Sequence, residues 1–113
     1  IYMYLQEQIE LLVSSGLPRS NIAVDVGFGF GKSVKDNLAL IDWMPLFHGL
    51  GVPILIGVSR KSTIARLDNN APVDERLGGS IALTLKSADA GVQMVRTHDV
   101  RQTAQAIKLW QAG

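Results

Sequence analysis

Three short apolar runs, each rich in β-branched residues and each followed by a segment of helical spacing, restrict the folding of this chain more than any other feature. The runs are residues 22–26, 53–58 and 92–97. Before the first, Leu5, Ile9, Leu12 and Val13 recur at helical spacing, with Gly16 and Pro18 as stop signals. After it, Leu38, Ile41 and Met44 mark a helix that Ser33 and Asp36 can start and that Pro45 and Gly49-Leu50-Gly51 close. After the second come a helical turn at 63–67, a polar loop at 68–74 and a helix at 75–90 that Gly91 stops. After the third, Val100, Ala104, Ile107 and Trp110 share a helix face, and Asp99 with Gln102 has capping-box spacing. The order α, βα, βα, βα predicts an α/β fold with a parallel sheet and helices packed outside it.

Strand starts near 22, 54 and 92 are about 32 and 38 residues apart, close to the roughly 31 residues per unit of an eight-fold barrel of about 250 residues. Three consecutive βα units cannot close such a barrel. The chain is expected to be either a small open sheet or a piece of a larger barrel, in one domain spanning 1–113. Its opening, Ile1-Tyr2-Met3-Tyr4, has neither the form of a signal peptide nor that of a natural start, and truncation is expected.

Composition removes several function classes. A net charge of +1 leaves no basic field for nucleic acid. No apolar run reaches the roughly 18 residues that cross a bilayer. The absence of cysteine excludes disulfides, thiolate metal sites and a cysteine nucleophile, and fits a cytoplasmic location. With two histidines, a metal site built from this chain alone is not expected. His48, beside Gly49, is expected at the surface near a helix end.

Ligands of parallel βα folds sit at the C-terminal ends of the strands. Strand alternation puts Ala23 with Asp25, Gly57 with Ser59 and Lys61, and Met94 with Arg96 and His98 on common faces. A carboxylate, an ammonium, a guanidinium and an imidazole would then surround one mouth, suited to a polar, anionic small molecule. Asp25, ending a Val/Ile strand, is expected to meet a donor. That donor is either a local turn or cap N–H, or the paired N–H groups of a ring amidine. Gly27-Phe28-Gly29-Phe30-Gly31-Lys32-Ser33 is not a Walker loop, because Val26 stands where the first glycine belongs. Nor is it a dinucleotide fingerprint, because Lys32 replaces the third glycine. It is either an ordinary turn or a close backbone approach to a planar ligand, with Phe28 or Phe30 against it. Lys61 precedes a helical turn that favours anions, or is a solvated basic residue. Arg96 and His98 clamp a phosphate, or form a salt bridge with Asp99 or Asp25.

Four blocks then stand in order: Asp25-Val26-Gly27-Phe28-Gly29-Phe30-Gly31-Lys32, Gly57-Val58-Ser59-Arg60-Lys61-Ser62, Glu75-Arg76-Leu77-Gly78-Gly79-Ser80 and Val95-Arg96-Thr97-His98-Asp99. Together they resemble the C-terminal half of the dihydropteroate synthase family. One departure is Val26, where the family usually has proline; valine keeps its N–H and frees φ, so a looser turn is expected. The resemblance implies strands six to eight of a (β/α)8 TIM barrel. It implies the condensation of 4-aminobenzoate with dihydropterin methyl diphosphate in folate biosynthesis, with release of diphosphate.

By the same resemblance Asp25 binds the aminopyrimidine edge of the pterin. Lys61 contacts the pterin and shapes the aminobenzoate pocket. Arg96 lies over the pterin ring and, with His98, holds diphosphate. Phe30 and Ser62 line the aminobenzoate side, and Gly29 and Thr97 complete the substrate-binding set. Lys61 and Arg96 are the catalytic candidates. Magnesium in the parent enzyme takes its ligand from strands this chain lacks, and the parent is expected to form a homodimer. Two other readings remain at this stage: a methyltransferase-type pterin barrel, which the Ser-Arg-Lys-Ser and Arg-Thr-His-Asp blocks disfavour, and a non-catalytic pterin-binding half-barrel.

Overall fold

The computed structural model describes residues 1–29 and 33–113. Within them, three parallel strands stand in the order β1-β2-β3: β1 is Val24–Asp25, β2 Ile54–Ile56 and β3 Met94–Val95. The helices are α1 (Tyr2–Ser14), α2 (Val34–Asp42), α3 (Met44–Phe47), α4 (Ser62–Leu67), α5 (Leu77–Asp89) and α6 (Val100–Ala112). The α/β alternation read from the sequence is present in full.

The paired strands are shorter than the apolar runs because regular pairing ends where the chain turns into its loops. Ile22 still has extended geometry (φ −115°, ψ 134°) before β1. The core lies on one face of the sheet. Val24, Ile54 and Ile56 point into it, with Ile22, Val26 and Val58 on the flanking segments, against Ile9, Leu40, Ile41, Met44, Phe47 and Leu50. On the opposite face Ala23 and Asp25 are exposed, Met94 is 39% exposed and Leu55 half-buried. One covered face and one open face fit strands taken from a layered α/β architecture.

Local chemistry explains where the elements stop. Ser33 caps α2, its Oγ accepting from the Asp36 N–H at 3.1 Å. The helix expected to run to Met44 breaks at Trp43, and Pro45 opens the short α3 behind it. The helix expected from residue 75 starts at Leu77, after a 3-10 turn at Val73–Glu75. Just before it, Arg76 turns back to donate to the carbonyls of Ala71 (2.8 Å) and Arg60 (2.9 Å). The capping box at α6 does not form. Asp99 heads the helix without capping it, because its carboxylate is taken by Arg60. The buried stripe of α6 is also displaced from the expected one. Val100 is 67% exposed, and Thr103 is buried with Ala106 and Ile107 half-buried beside it.

Asn37 ties this scaffold to the loop after β1. It is buried on α2, accepts from the Gly29 N–H at 2.8 Å and donates to Thr63 Oγ1 on α4 at 3.1 Å. Removing a buried partner of this kind strands polar groups, at about 1–3 kcal/mol. Asn37→Ala is therefore expected to lower the urea midpoint by a corresponding amount, and an unchanged midpoint would refute the role given to Asn37.

Candidate functional site

The C-terminal ends of β1, β2 and β3 share one side of the molecule because the strands are parallel. Asp25 ends β1, Gly57 follows β2 by one residue and Arg96 follows β3 by one. The register pairs Asp25 with Leu55 and Leu55 with Met94, so Gly57 and Arg96 lie two residues further along the open face. The edge strands are about 9–10 Å apart across β2. Arg96 crosses that gap and donates to Asp25 Oδ2 at 3.0 Å. It can do so because the residue in its path has no side chain: a Cβ on Gly57 would stand 2.5 Å from Arg96 Nη2 and 3.0 Å from its Cζ. Gly29 plays a similar part for Lys61, whose Cδ would lie 3.0 Å from a Cβ there. Two glycines thus seat two cations.

Both plainer readings of Asp25 and Arg96 are realised here. Asp25 Oδ1 accepts from the Gly27 N–H at 2.8 Å, a local turn bond, while Oδ2 takes Arg96. The ion pair is open to solvent, with side chains 53% and 38% exposed. Such a pair is worth about 0–1 kcal/mol. A ligand offering Asp25 two parallel N–H bonds can therefore displace it.

Next to this crossing lies a cleft of about 470 Å³ lined by Gly57, Ser59, Lys61, Arg96, Thr97 and His98. Asp25 borders it through Arg96. Ser62, the first residue of α4, is exposed outside the lining. Phe28 is buried in the core, which removes it as the aromatic against a planar ligand and corrects that branch of the expectation. Val26 is likewise a core residue. Phe30 lies outside the described residues, as do Gly31 and Lys32. A second cleft of about 460 Å³, lined by Tyr2, Leu40, Trp43, Leu46 and Phe47 among others, is apolar with Asp36 as its one charged side chain. It lacks convergent polar groups, and the strand-end cleft is the better ligand site. Among the described residues no group of three or more His, Asp or Glu could hold a metal ion.

Sequence reasoning gave Arg60 no role, and it placed Ser59 on the mouth face without foreseeing its partners. Arg60 adopts φ 55°, costly for a residue with a side chain, and everything around it holds that conformation. Its N–H donates to Ser80 Oγ (2.8 Å), and its carbonyl accepts from Arg76. Its guanidinium forks onto Asp99 at 2.8 and 3.2 Å. Arg60 precedes Lys61 and Asp99 follows His98, so one ion pair fixes two loops of the cleft against each other. The hydrogen bond from Arg60, and then its charge, hold the Asp99 carboxyl below its ordinary value against the opposing effect of burial; the same contacts raise Arg60. The signal for the pair was two adjacent unlike charges at two strand ends, but nothing local says that they meet. His48, expected as a surface residue, is part-buried with Nε2 3.0 Å from the Ala90 carbonyl.

Comparisons with known proteins give the chain a family and solved relatives. Residues 1–98 match the family described as pterin binding enzyme. A dihydropteroate synthase of Neisseria meningitidis serogroup B is 45% identical over 112 residues, covering 96% of this chain and 39% of that protein. Two crystal structures of Xanthomonas albilineans dihydropteroate synthase, one with 4-aminobenzoic acid and one with 7,8-dihydropteroate, superpose with TM-scores of 0.94 at 39% identity. Each covers 98% of this chain, and the chain covers 43% and 42% of them. The chain spans about two fifths of the length of the relatives it matches.

The lowered Asp99 carboxyl sets the sign of a pH effect. A depressed folded value adds stability that is full above the unfolded value, about 3.9, and is lost as pH falls through the folded value. The stability gap between the native chain and Asp99→Asn is therefore expected to be constant from pH 7 to 5 and to shrink towards strong acid, measured by urea unfolding at each pH. A gap that does not change with acid would contradict the pairing.

Proposed function

The chain belongs to the family of pterin-binding enzymes, and from that premise we propose that it is the part of a dihydropteroate synthase carrying strands six to eight of a (β/α)8 barrel. The observation that carries the reading is the cationic strand-end cleft, in which Lys61, Arg96 and His98 stand around the bare backbone of Gly57 beside the carboxylate of Asp25. The relatives solved with 4-aminobenzoic acid and with 7,8-dihydropteroate support the same pair of small molecules here.

In this reading Asp25 exchanges its exposed ion pair for the N–H edge of the aminopyrimidine. Arg96, freed from Asp25, lies over the ring, and its flat seat on Gly57 suits that stacking. Lys61, Arg96 and His98 face the diphosphate. The C–O bond between the pterin methylene and the diphosphate breaks, and the leaving anion keeps the electron pair. The amine of 4-aminobenzoate forms the new C–N bond and gives up a proton to solvent. Nothing in this step needs a side-chain nucleophile; it needs positioning and stabilisation of the departing charge. The exposed face bearing Ala23, Asp25 and Met94 is the lumen side, covered by further strands in the longer enzyme. Magnesium would be held there by groups other than those described. The longer enzyme is cytoplasmic and pairs as a homodimer.

In the longer enzyme, Lys61→Ala or Arg96→Ala is expected to lower kcat/KM by about 10²–10³-fold, the scale of losing one donor to a developing oxyanion, with little change in Tm. Near-normal turnover in either variant would defeat the assigned roles. The 113-residue chain by itself is expected to form no dihydropteroate. Product from the purified chain, free of host enzyme, would show that these three strands suffice.

A further inference from the structure

Ser59 is buried at the end of the central strand segment, and its hydroxyl meets three groups. The backbone N–H of His98 donates to Ser59 Oγ at 3.0 Å, the Thr97 hydroxyl donates at 3.4 Å, and His98 Nδ1 lies at 2.9 Å. A serine hydroxyl has two lone pairs and one proton. The amide N–H can only donate, and the Thr97 hydroxyl takes the second lone pair. The proton is left for His98 Nδ1. A neutral imidazole whose Nδ1 accepts carries its own proton on Nε2.

Further back, Thr97 Oγ1 lies 3.1 Å from Thr103 Oγ1 and accepts from the Asp99 N–H at 3.1 Å. With the Thr97 proton given to Ser59, Thr103 supplies the proton between the two threonines. Thr103 is buried on α6, and the reaction described above gives it no task. The hydroxyls of Thr103, Thr97 and Ser59 then donate in one direction, each strengthening the next. We propose that this hydroxyl relay makes Ser59 a positioning residue, which locks His98 in the Nε2–H tautomer so that the ring offers a donor to an anion in the strand-end cleft. The proposed tautomer rests on these hydrogen bonds. The identity of the anion, a diphosphate, rests on the function proposed above.

The test uses the full 113-residue chain labelled with ¹⁵N, at a pH where imidazole is neutral, with His98→Asn to separate its signals from those of His48. Long-range ¹H–¹⁵N spectra read the tautomer directly. The native chain is expected to show His98 with a bare Nδ1 and a protonated Nε2. In Ser59→Ala the ratio of the two tautomers is expected to fall about fivefold, the factor corresponding to a hydrogen bond of about 1 kcal/mol. Ser59→Thr, which keeps a hydroxyl, should restore it. Thr103→Val removes the far end of the relay without touching the cleft. It should shift the ratio the same way by less, which keeps the test open if Ser59→Ala fails to fold. Inorganic diphosphate should move the Nε2–H resonance of the native chain. An Nδ1–H tautomer in the native chain, or a ratio unmoved in both variants, would overturn the relay. A diphosphate titration that leaves His98 untouched would overturn the donor role. A His98 response to diphosphate together with a longer enzyme that makes no dihydropteroate would uphold the relay and sink the proposed reaction instead.

Discussion

Everything at the strand ends hangs on the few residues that follow β2, the strand paired on both sides. From Gly57 to Lys61, successive positions face different neighbours. Gly57 leaves room for Arg96, Ser59 holds His98, Arg60 ties down Asp99, and Lys61 lies along Gly29. The backbone meets these demands by placing Arg60 in a left-handed conformation between Ser59 and Lys61. Ser80 and Arg76, both from the neighbourhood of α5, bond the two sides of that residue. Geometry at the cleft is thus set by a helix that does not line it.

The polar groups follow a division of labour by depth. Buried or part-buried ones, such as Asn37, Ser59, Thr97 and Thr103, are joined by hydrogen bonds to fixed partners. Such groups are costly to leave unpaired, so they specify one arrangement of the loops. The charged pair nearest the ligand face, Asp25 with Arg96, is exposed and cheap to break. Rigidity lies behind the site and exchangeability in front of it, which is the arrangement a ligand-binding surface needs.

The alternation of strands and helices was legible because hydrophobic period and stop signals are local properties. Ser33 as a cap, and Gly16 and Gly91 as helix ends, were readable for the same reason. The convergence of Lys61, Arg96 and His98 followed from parallel strands and side-chain alternation. What escaped was tertiary. Phe28 reads like a ligand-facing aromatic in a glycine-rich loop, yet it completes the core under β1. Asp99 reads like a helix cap, yet a guanidinium 39 residues away in sequence outbids the N-terminal amides. The displaced stripe of α6 has a similar cause: Thr103 is drawn inward by a hydroxyl partner that a count of apolar residues does not see.

The bond from Arg96 to Asp25 joins residues 71 positions apart. A contact of that span closes a long loop for little energy, so it cannot nucleate folding. It forms after β1 has paired with β2 and β2 with β3, since the guanidinium reaches the carboxylate only across the finished middle strand. The crossing therefore exists only in a chain whose three strands are all paired. A chain stalled on the ribosome, or one with β3 undocked, can hold much of its core and still present no site. A small molecule that occupies the crossing would then report that all three strands have docked.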